Sequence, residues 1–153
     1  MNPREAIERL IYKSTMTLDE KDFDGYLKLC DDDYQYKVTA YSPEIRKEMI
    51  WLEHDKEGMK TLFKNLPRHN SDHSPLTRHV TVYIVDMKNG SKEADVVSGI
   101  QVYKTSLDGG STQLYAVGKM YDTVRVNGDS ATLVKRNIRL DTRELGIGHH
   151  VPF

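Results

Sequence analysis

Apolar positions near the start of the chain recur with the period of an α-helix. A first helix is predicted, with Asn2 as its cap, Pro3 in its first turn and Glu5 placed to reach back to the cap. One face of this helix is expected to carry Ile7, Leu10, Ile11, Ser14 and Leu18. After a polar break, Asp22 is expected to cap a short second helix, and the run Asp31-Asp32-Asp33 is expected to end it. The buried side of that helix is predicted to carry Phe23, Tyr26, Leu27 and Cys30.

A third helix is predicted after Asp55, which can cap it, and before Pro67, which is expected to stop it. Its apolar residues have helical spacing: Met59, Leu62, Phe63 and Leu66. Residues 67–77 are polar and typical of a loop.

Six segments alternate or are rich in β-branched and aromatic residues, which predicts strands at Tyr34–Tyr41, Lys47–His54, Arg78–Met87, Ala94–Thr105, Leu114–Val126 and Ala131–Leu140. In the third strand, His79, Thr81, Tyr83 and Val85 are expected on one face and Val80, Val82 and Ile84 on the other. In the last strand, the shared face is predicted to hold Val134, Arg136, Ile138 and Leu140. Asn127-Gly128 predicts a tight hairpin, and Asn89-Gly90 another turn.

Helices grouped early and long antiparallel strands late indicate an α+β fold. We expect the N-terminal helices to cover the concave face of a curved, mainly antiparallel sheet. No internal repeat or linker interrupts the pattern, so residues 1–153 are interpreted as a single domain.

Composition narrows the class of protein. Charged residues make up 29% and hydrophobic residues 38%, which is ordinary for a globular chain, and the net charge of -1 gives no support for binding to nucleic acid or an anionic membrane. No apolar run approaches the length of a membrane span, and the N-terminus lacks the core of a signal peptide. The single cysteine, Cys30, excludes an internal disulfide and fits a reducing compartment, so we expect a cytoplasmic protein.

Two histidine pairs raise the question of a metal site. His69 and His73 have a spacing that would bind metal on a helix, but the surrounding Pro, Asn, Ser and Asp residues favour a loop. His149-His150 is interpreted as part of a polar tail. We therefore expect no metal site in this chain.

A general acid–base site is a further possibility. Tyrosine, histidine and aspartate side chains could converge in a cavity between sheet and helices and take a proton or polarise a carbonyl group: Asp33, Tyr34, Tyr36, His54, His79 and Asp122. No spacing ties these residues together, and buried tyrosines commonly satisfy their hydroxyls within the core. The preferred interpretation is that they form the walls of the fold and that the chain has no catalytic residues.

Three local patterns resemble the small (β) subunit of ring-hydroxylating, Rieske-type non-haem iron oxygenases. The first is the run LDEKDFDGYLKLCDDDYQY at Leu18–Tyr36, and the second is Pro75-x2-Arg78-His79-Val80 opening a strand. The third is the ending: Tyr115–Asp122, a turn with Gly128, and then Lys135-Arg136-Asn137-Ile138-Arg139-Leu140-Asp141. Thr81-Val82-Tyr83 stands where the family often has Ser-Asn-Val, and the family's usual aromatic residue in the last hairpin is replaced around Ala131.

The resemblance implies a cone-like fold of the nuclear-transport-factor-2 (NTF2) type. It also implies a non-catalytic chain whose large (α) subunit partner holds the Rieske 2Fe-2S cluster and the mononuclear iron. The residues agree with this, since one cysteine cannot supply the two Cys and two His ligands of a Rieske centre and no facial triad for iron is apparent. The holoenzyme could be an arene dioxygenase or, in a divergent branch, an alkanesulfonate monooxygenase.

Two functions follow. In the first, the chain forms a homotrimeric base that holds the α subunits in an α3β3 assembly, with Arg78, His79, Arg136 and Arg139 at subunit contacts. In the second, it is a stand-alone dehydratase or isomerase using Tyr34 or Tyr36 with His54 or His79. A weaker third alternative is a small-ligand binding protein without catalysis.

Overall fold

The described residues form three helices and six strands, which follow one another in the order that the sequence predicts. The computed structural model describes residues 2–69, 73–88, 92–145 and 152–153. The elements are α1 (Pro3–Asp19), α2 (Phe23–Lys28), β1 (Cys30–Ser42), β2 (Lys47–Asp55), α3 (Lys56–His69), β3 (Leu76–Met87), β4 (Glu93–Thr105), β5 (Thr112–Asn127) and β6 (Ser130–Leu140). The turn predicted at Asn89-Gly90 and the histidines at 149 and 150 lie outside the described residues.

All three helices begin at the predicted caps. The side chain of Asn2 accepts a hydrogen bond from the Glu5 N–H at 2.9 Å, and Asp22 accepts one from Gly25 at 3.0 Å. Asp55, the last residue of β2, accepts one from Gly58 at 2.7 Å. Each carboxylate or amide oxygen satisfies an N–H that has no partner inside its own helix.

The strands form one sheet in the order β2-β1-β6-β5-β4-β3. The β1–β6 pair is parallel and the other four pairs are antiparallel, so the sheet is mainly antiparallel as expected. The hairpin between β5 and β6 turns at Gly128, whose φ of 63° suits a residue without a Cβ. The helices pack on one face of the sheet and bury the predicted face of α1.

Two predicted boundaries are wrong. Cys30 is buried, but it is the first residue of β1 rather than part of α2, and the acidic run 31–33 lies in that strand instead of ending a helix. The Leu29 carbonyl accepts a hydrogen bond from the Leu133 N–H at 2.8 Å, which ties the chain to the sheet immediately after α2. Pro67 lies inside α3, which continues to His69, because a proline so close to a helix end removes few hydrogen bonds.

Bulges change the predicted faces of two strands. The β3–β4 register shifts between Val82 and Ile84, so Val85 packs toward the core and Ile84 is exposed, the reverse of the expected pattern. The β5–β6 register shifts between Thr123 and Val124, and Leu133 takes the fully buried position that Val134 was expected to hold. A bulge reverses the alternation beyond it, and residue types alone do not reveal where it falls.

The end of the tail is also unlike the polar segment expected from sequence. The core between the sheet and the helices includes Phe153, which is 2% exposed. Its ring lies 6.5 Å from the ring of Tyr115, and its backbone contacts Tyr36 on β1. The last two residues of the chain therefore help to fill the interior.

Candidate functional site

The centre of the interior holds a buried ion pair between two neighbouring strands. Arg136 on β6 donates from Nε to Oδ1 of Asp122 at 2.8 Å and from Nη2 to Oδ2 at 3.2 Å. The side chains are 1% and 0% exposed. Nη2 also donates to the Ser14 hydroxyl on α1 at 3.1 Å. Burial alone would lower the pKa of Arg136, but the Asp122 carboxylate and nearby tyrosines raise it well above its ordinary value, so the guanidinium stays charged.

Three buried tyrosines surround this pair. The hydroxyls of Tyr26 and Tyr34 hydrogen-bond to each other at 2.5 Å. Burial raises the pKa of Tyr26, Tyr34 and Tyr36 well above the ordinary value of 10.0. These phenols are therefore neutral at physiological pH and cannot act as bases there.

A second arginine connects α1, β3 and the end of the chain. Arg78 donates from Nη1 to Asp19 at 2.7 Å and from Nη2 to the Pro152 carbonyl at 2.7 Å. The Tyr36 hydroxyl donates to the Phe153 carbonyl at 3.3 Å and accepts from the Phe153 N–H at 2.9 Å. Pro152 and Phe153 thus close the interior beside Tyr36.

Only part of the predicted acid–base set is brought together. Tyr34, Tyr36 and Asp122 lie in the buried interior, and both oxygens of Asp122 are held by Arg136. His54 is half-buried on β2, while Asp33 and His79 are exposed, His79 with its ring 5.4 Å from that of Tyr103. The structure therefore does not assemble a base, an acid and an open cavity from these residues.

The four residues expected at subunit contacts divide into two pairs. Arg78 and Arg136 have side chains that are 2% and 1% exposed and bind acceptors of their own chain. His79 and Arg139 are exposed, and Arg139 approaches Glu48 at 3.3 Å. The contact of all four residues with a neighbouring subunit stays a prediction.

The face of the sheet opposite the helices carries exposed apolar side chains. Tyr121 lies between Asn137 on β6 and Val97 on β4, and Val97 lies opposite Ile84 on β3, so these side chains share one cross-strand row. We call the outer-sheet patch the set of exposed side chains on this row and beside it: Tyr83, Ile84 and Tyr121. The exposed Ile50 and Trp51 lie on β2, at the opposite edge of the sheet. The Tyr83 ring lies over Gly99, where a Cβ would overlap the Tyr83 hydroxyl.

The described residues form neither a metal-binding cluster nor a membrane-spanning helix. Among residues 2–69, 73–88, 92–145 and 152–153, no group of three His, Cys, Asp or Glu side chains is arranged to hold a metal ion. His73 is exposed, and nothing is described of the His69 side chain. No helix in these ranges has the length and apolar character of a bilayer span.

Sequence reasoning missed how the buried polar groups pair. Asp122 and Arg136 are direct partners in the β5–β6 register, and each stands at an apolar-face position of its strand. Opposite charges at inward-facing positions of the two strands of one hairpin can indicate a buried ion pair. Here the bulge between the strands makes it hard to tell from sequence which residues face each other. The contacts of Asp19 with Arg78 and of Phe153 with Tyr36 join distant segments and leave no local signal.

Comparison with known proteins gives consistent matches over nearly the whole chain. The family described as "Ring hydroxylating beta subunit" matches residues 13–146. The methanesulfonate monooxygenase hydroxylase subunit β of Methylosulfonomonas methylovora is 39% identical, over 97% of this chain and 86% of that protein. The 2-aminobenzenesulfonate 2,3-dioxygenase subunit β of an Alcaligenes species is 30% identical, over 96% of this chain and 97% of that protein.

A solved structure supports the fold. The β subunit of a putative aromatic-ring-hydroxylating dioxygenase from Novosphingobium aromaticivorans superposes with a TM-score of 0.83 at 20% identity, covering 97% of this chain and 95% of that one. The expected α+β fold of the NTF2 type, with helices on a mainly antiparallel sheet, is confirmed. The chain belongs to the family of β subunits of ring-hydroxylating oxygenases.

Proposed function

We propose that this chain is the non-catalytic β subunit of the hydroxylase component of a multicomponent oxygenase, which holds catalytic α subunits in place. Family membership supports the role of a β subunit. The proposal that the chain is non-catalytic rests on the interior. There, the carboxylate and the phenols that a stand-alone enzyme would use are already hydrogen-bonded to other groups of the same chain.

A stand-alone dehydratase or isomerase is disfavoured by the same interior. Asp122 is neutralised by Arg136, and the tyrosine hydroxyls are buried and protonated. Phe153 fills space beside Tyr36 that a substrate of such an enzyme would need. A catalytic base requires access to its substrate, and none of these groups has it.

The outer-sheet patch supports the assembly part of the proposal. Tyr83 and Ile84 are 55% and 56% exposed, and Tyr121 is 41% exposed, although all three are large and apolar. Contiguous exposed apolar surface of this kind marks protein–protein contact, and tyrosine is enriched at such interfaces. We propose that the patch, with His79 and Arg139 near it on the same face, contacts neighbouring subunits in an α3β3 assembly.

The cofactors of the holoenzyme are proposed to reside in the α subunit. A Rieske 2Fe-2S cluster needs two cysteines and two histidines on the protein, and this chain has a single, buried cysteine. Burial raises the pKa of the Cys30 thiol to about 12, which removes the thiolate that metal binding requires. We further propose that the assembly is cytoplasmic.

The substrate of the holoenzyme is proposed to be a sulfonate. The two relatives described above are named for methanesulfonate and for 2-aminobenzenesulfonate, and both names contain this group. Oxygen consumption by the reconstituted enzyme, with each sulfonate and with the corresponding sulfonate-free compound, tests the proposal. Equal turnover of the sulfonate-free compounds would overturn it.

Co-purification with the cognate α subunit tests the assembly role. We expect Tyr121→Glu to abolish co-purification while the chain remains folded, because the substitution replaces an exposed aromatic side chain of the patch with a charge. Leu107→Glu is the matched control, since Leu107 is 69% exposed in the turn between β4 and β5. If the Tyr121→Glu variant still co-purifies with the α subunit, the patch is not part of the interface.

A further inference from the structure

A pocket of about 320 Å³ opens between the helices and the start of β3, away from the outer-sheet patch. Its walls come from the end of α1, the start of α2, the end of α3 and the first residues of β3. The apolar part is formed by Leu18, Phe23, Phe63, Leu66 and Leu76. A volume of this size lies at the lower end of the range for small-molecule sites and suits a body of one or two rings.

Aromatic walls favour a flat ligand. The rings of Phe23 and Phe63 stack on each other with centroids 4.4 Å apart and planes 8° apart. Both line the pocket, so they form one continuous aromatic surface. A ring in the pocket can pack against this surface face to edge or in an offset stack.

The charges around the pocket favour an anion. Asp19 is the one carboxylate among its described lining residues, whereas Lys21 and Arg78 supply two basic side chains and His73 adds an imidazole. Asp19 is already bound to Arg78, so Lys21 is the lining cation outside this ion pair, and Asp22 and Asp24 line the groove next to it. Nε of Arg78 has no hydrogen-bond partner among the described residues, so the inner wall also keeps an unsatisfied donor.

Lys21 occupies a backbone position that normally favours glycine. It follows α1 with a φ of 58°, and its N–H and that of Asp22 close the helix on Leu18 and Thr17 at 3.1 and 2.8 Å. A lysine there is strained, yet it lines both this pocket and the shallow groove beside it. The Lys21 side chain can therefore be removed without disturbing the turn, since glycine would fit the same backbone conformation.

We propose that this pocket binds a small amphipathic anion with an aromatic body, its rings against Phe23 and Phe63 and its anionic group near Lys21. The site is independent of the assembly role, because it lies on the helix side of the sheet and its binding is measured on the isolated chain.

The test is isothermal titration calorimetry of the purified chain with naphthalene-1-sulfonate and with its neutral analogue naphthalene-1-sulfonamide, each of which has two fused rings. We expect saturable one-to-one binding of the sulfonate and weaker binding of the neutral analogue. Lys21→Gln should weaken the sulfonate about fivefold, the effect of one exposed charge contact, and leave the neutral probe unchanged. Lys13→Gln, the same change on an exposed part of α1, should alter neither.

Three further variants separate binding in the pocket from nonspecific binding and from an effect on the fold. Leu76→Trp fills the pocket and should abolish binding of both probes, whereas Leu107→Trp at the exposed turn should not. Lys21→Gly should raise the midpoint of thermal unfolding and at the same time weaken binding of the sulfonate. If Lys21 had only a structural role, a more stable variant would not bind the sulfonate more weakly. Equal affinity of the two probes, or binding that survives Leu76→Trp, would overturn the proposal.

Discussion

Arg136 donates two hydrogen bonds to Asp122, and both side chains are buried. The contact joins β5 to β6, and through Ser14 it also joins the sheet to α1. Breaking a buried pair by removing one charge leaves the other charge uncompensated. Replacing both partners removes that penalty.

We therefore expect Asp122→Asn to lower the free energy of unfolding by about 3–5 kcal/mol. The double variant Asp122→Leu with Arg136→Met should recover most of that loss. Urea denaturation at fixed protein concentration measures both. If the double variant is as unstable as Asp122→Asn, the pair stabilises the chain by more than the neutralisation of each charge by the other.

Phe153 should contribute as a core residue although it lies in a segment with no regular pattern. Phe153→Ala is expected to cost about 3–5 kcal/mol, the usual range for a buried phenylalanine. Leu107→Ala, at an exposed position, should change stability by less than about 0.5 kcal/mol. If thermal unfolding of the two variants is the same, Phe153 does not fill the interior.

Alkaline pH should destabilise the chain. Burial raises the pKa of Cys30 from 9.0 to about 12 and raises the pKa of the three buried tyrosines, so the folded state keeps protons that the unfolded state loses. Their contribution is fully present below about pH 9 and is lost as the pH rises beyond it. Thermal midpoints measured from pH 8 to 11 should fall steeply above pH 9, and Cys30→Ala should move the onset upward. A flat profile to pH 11 would contradict this.

Gly99 should affect assembly more than stability. A Cβ at this position would meet the end of the Tyr83 side chain, which can move aside, and not the backbone. We expect Gly99→Ala to displace Tyr83 from the outer-sheet patch and to weaken subunit association, with a change in stability below about 1 kcal/mol. Tyr83→Ala should weaken association similarly. In that background Gly99→Ala should add no further loss, and an additive loss would show that the two residues act separately.

Much of the fold could be predicted because its signals are local. The caps at Asn2, Asp22 and Asp55 and the turn at Gly128 each depend on a few adjacent residues. The faces of β3 and β6 could not be fully predicted, since a bulge is set by pairing with another strand. Arg78 and Arg136 read as surface cations because a buried arginine is identified only by its acceptor, and those acceptors lie in distant parts of the chain or beyond a bulge.

Light scattering after gel filtration gives the mass of this chain co-expressed with its cognate α subunit, and that mass shows whether the chain assembles as a β subunit. We expect the two chains to elute together in equal amounts. We also expect the chain alone to elute as a trimer of about 53 kDa, three times its 17.6 kDa. A chain that stays at 17.6 kDa and elutes apart from the α subunit would contradict the proposed role.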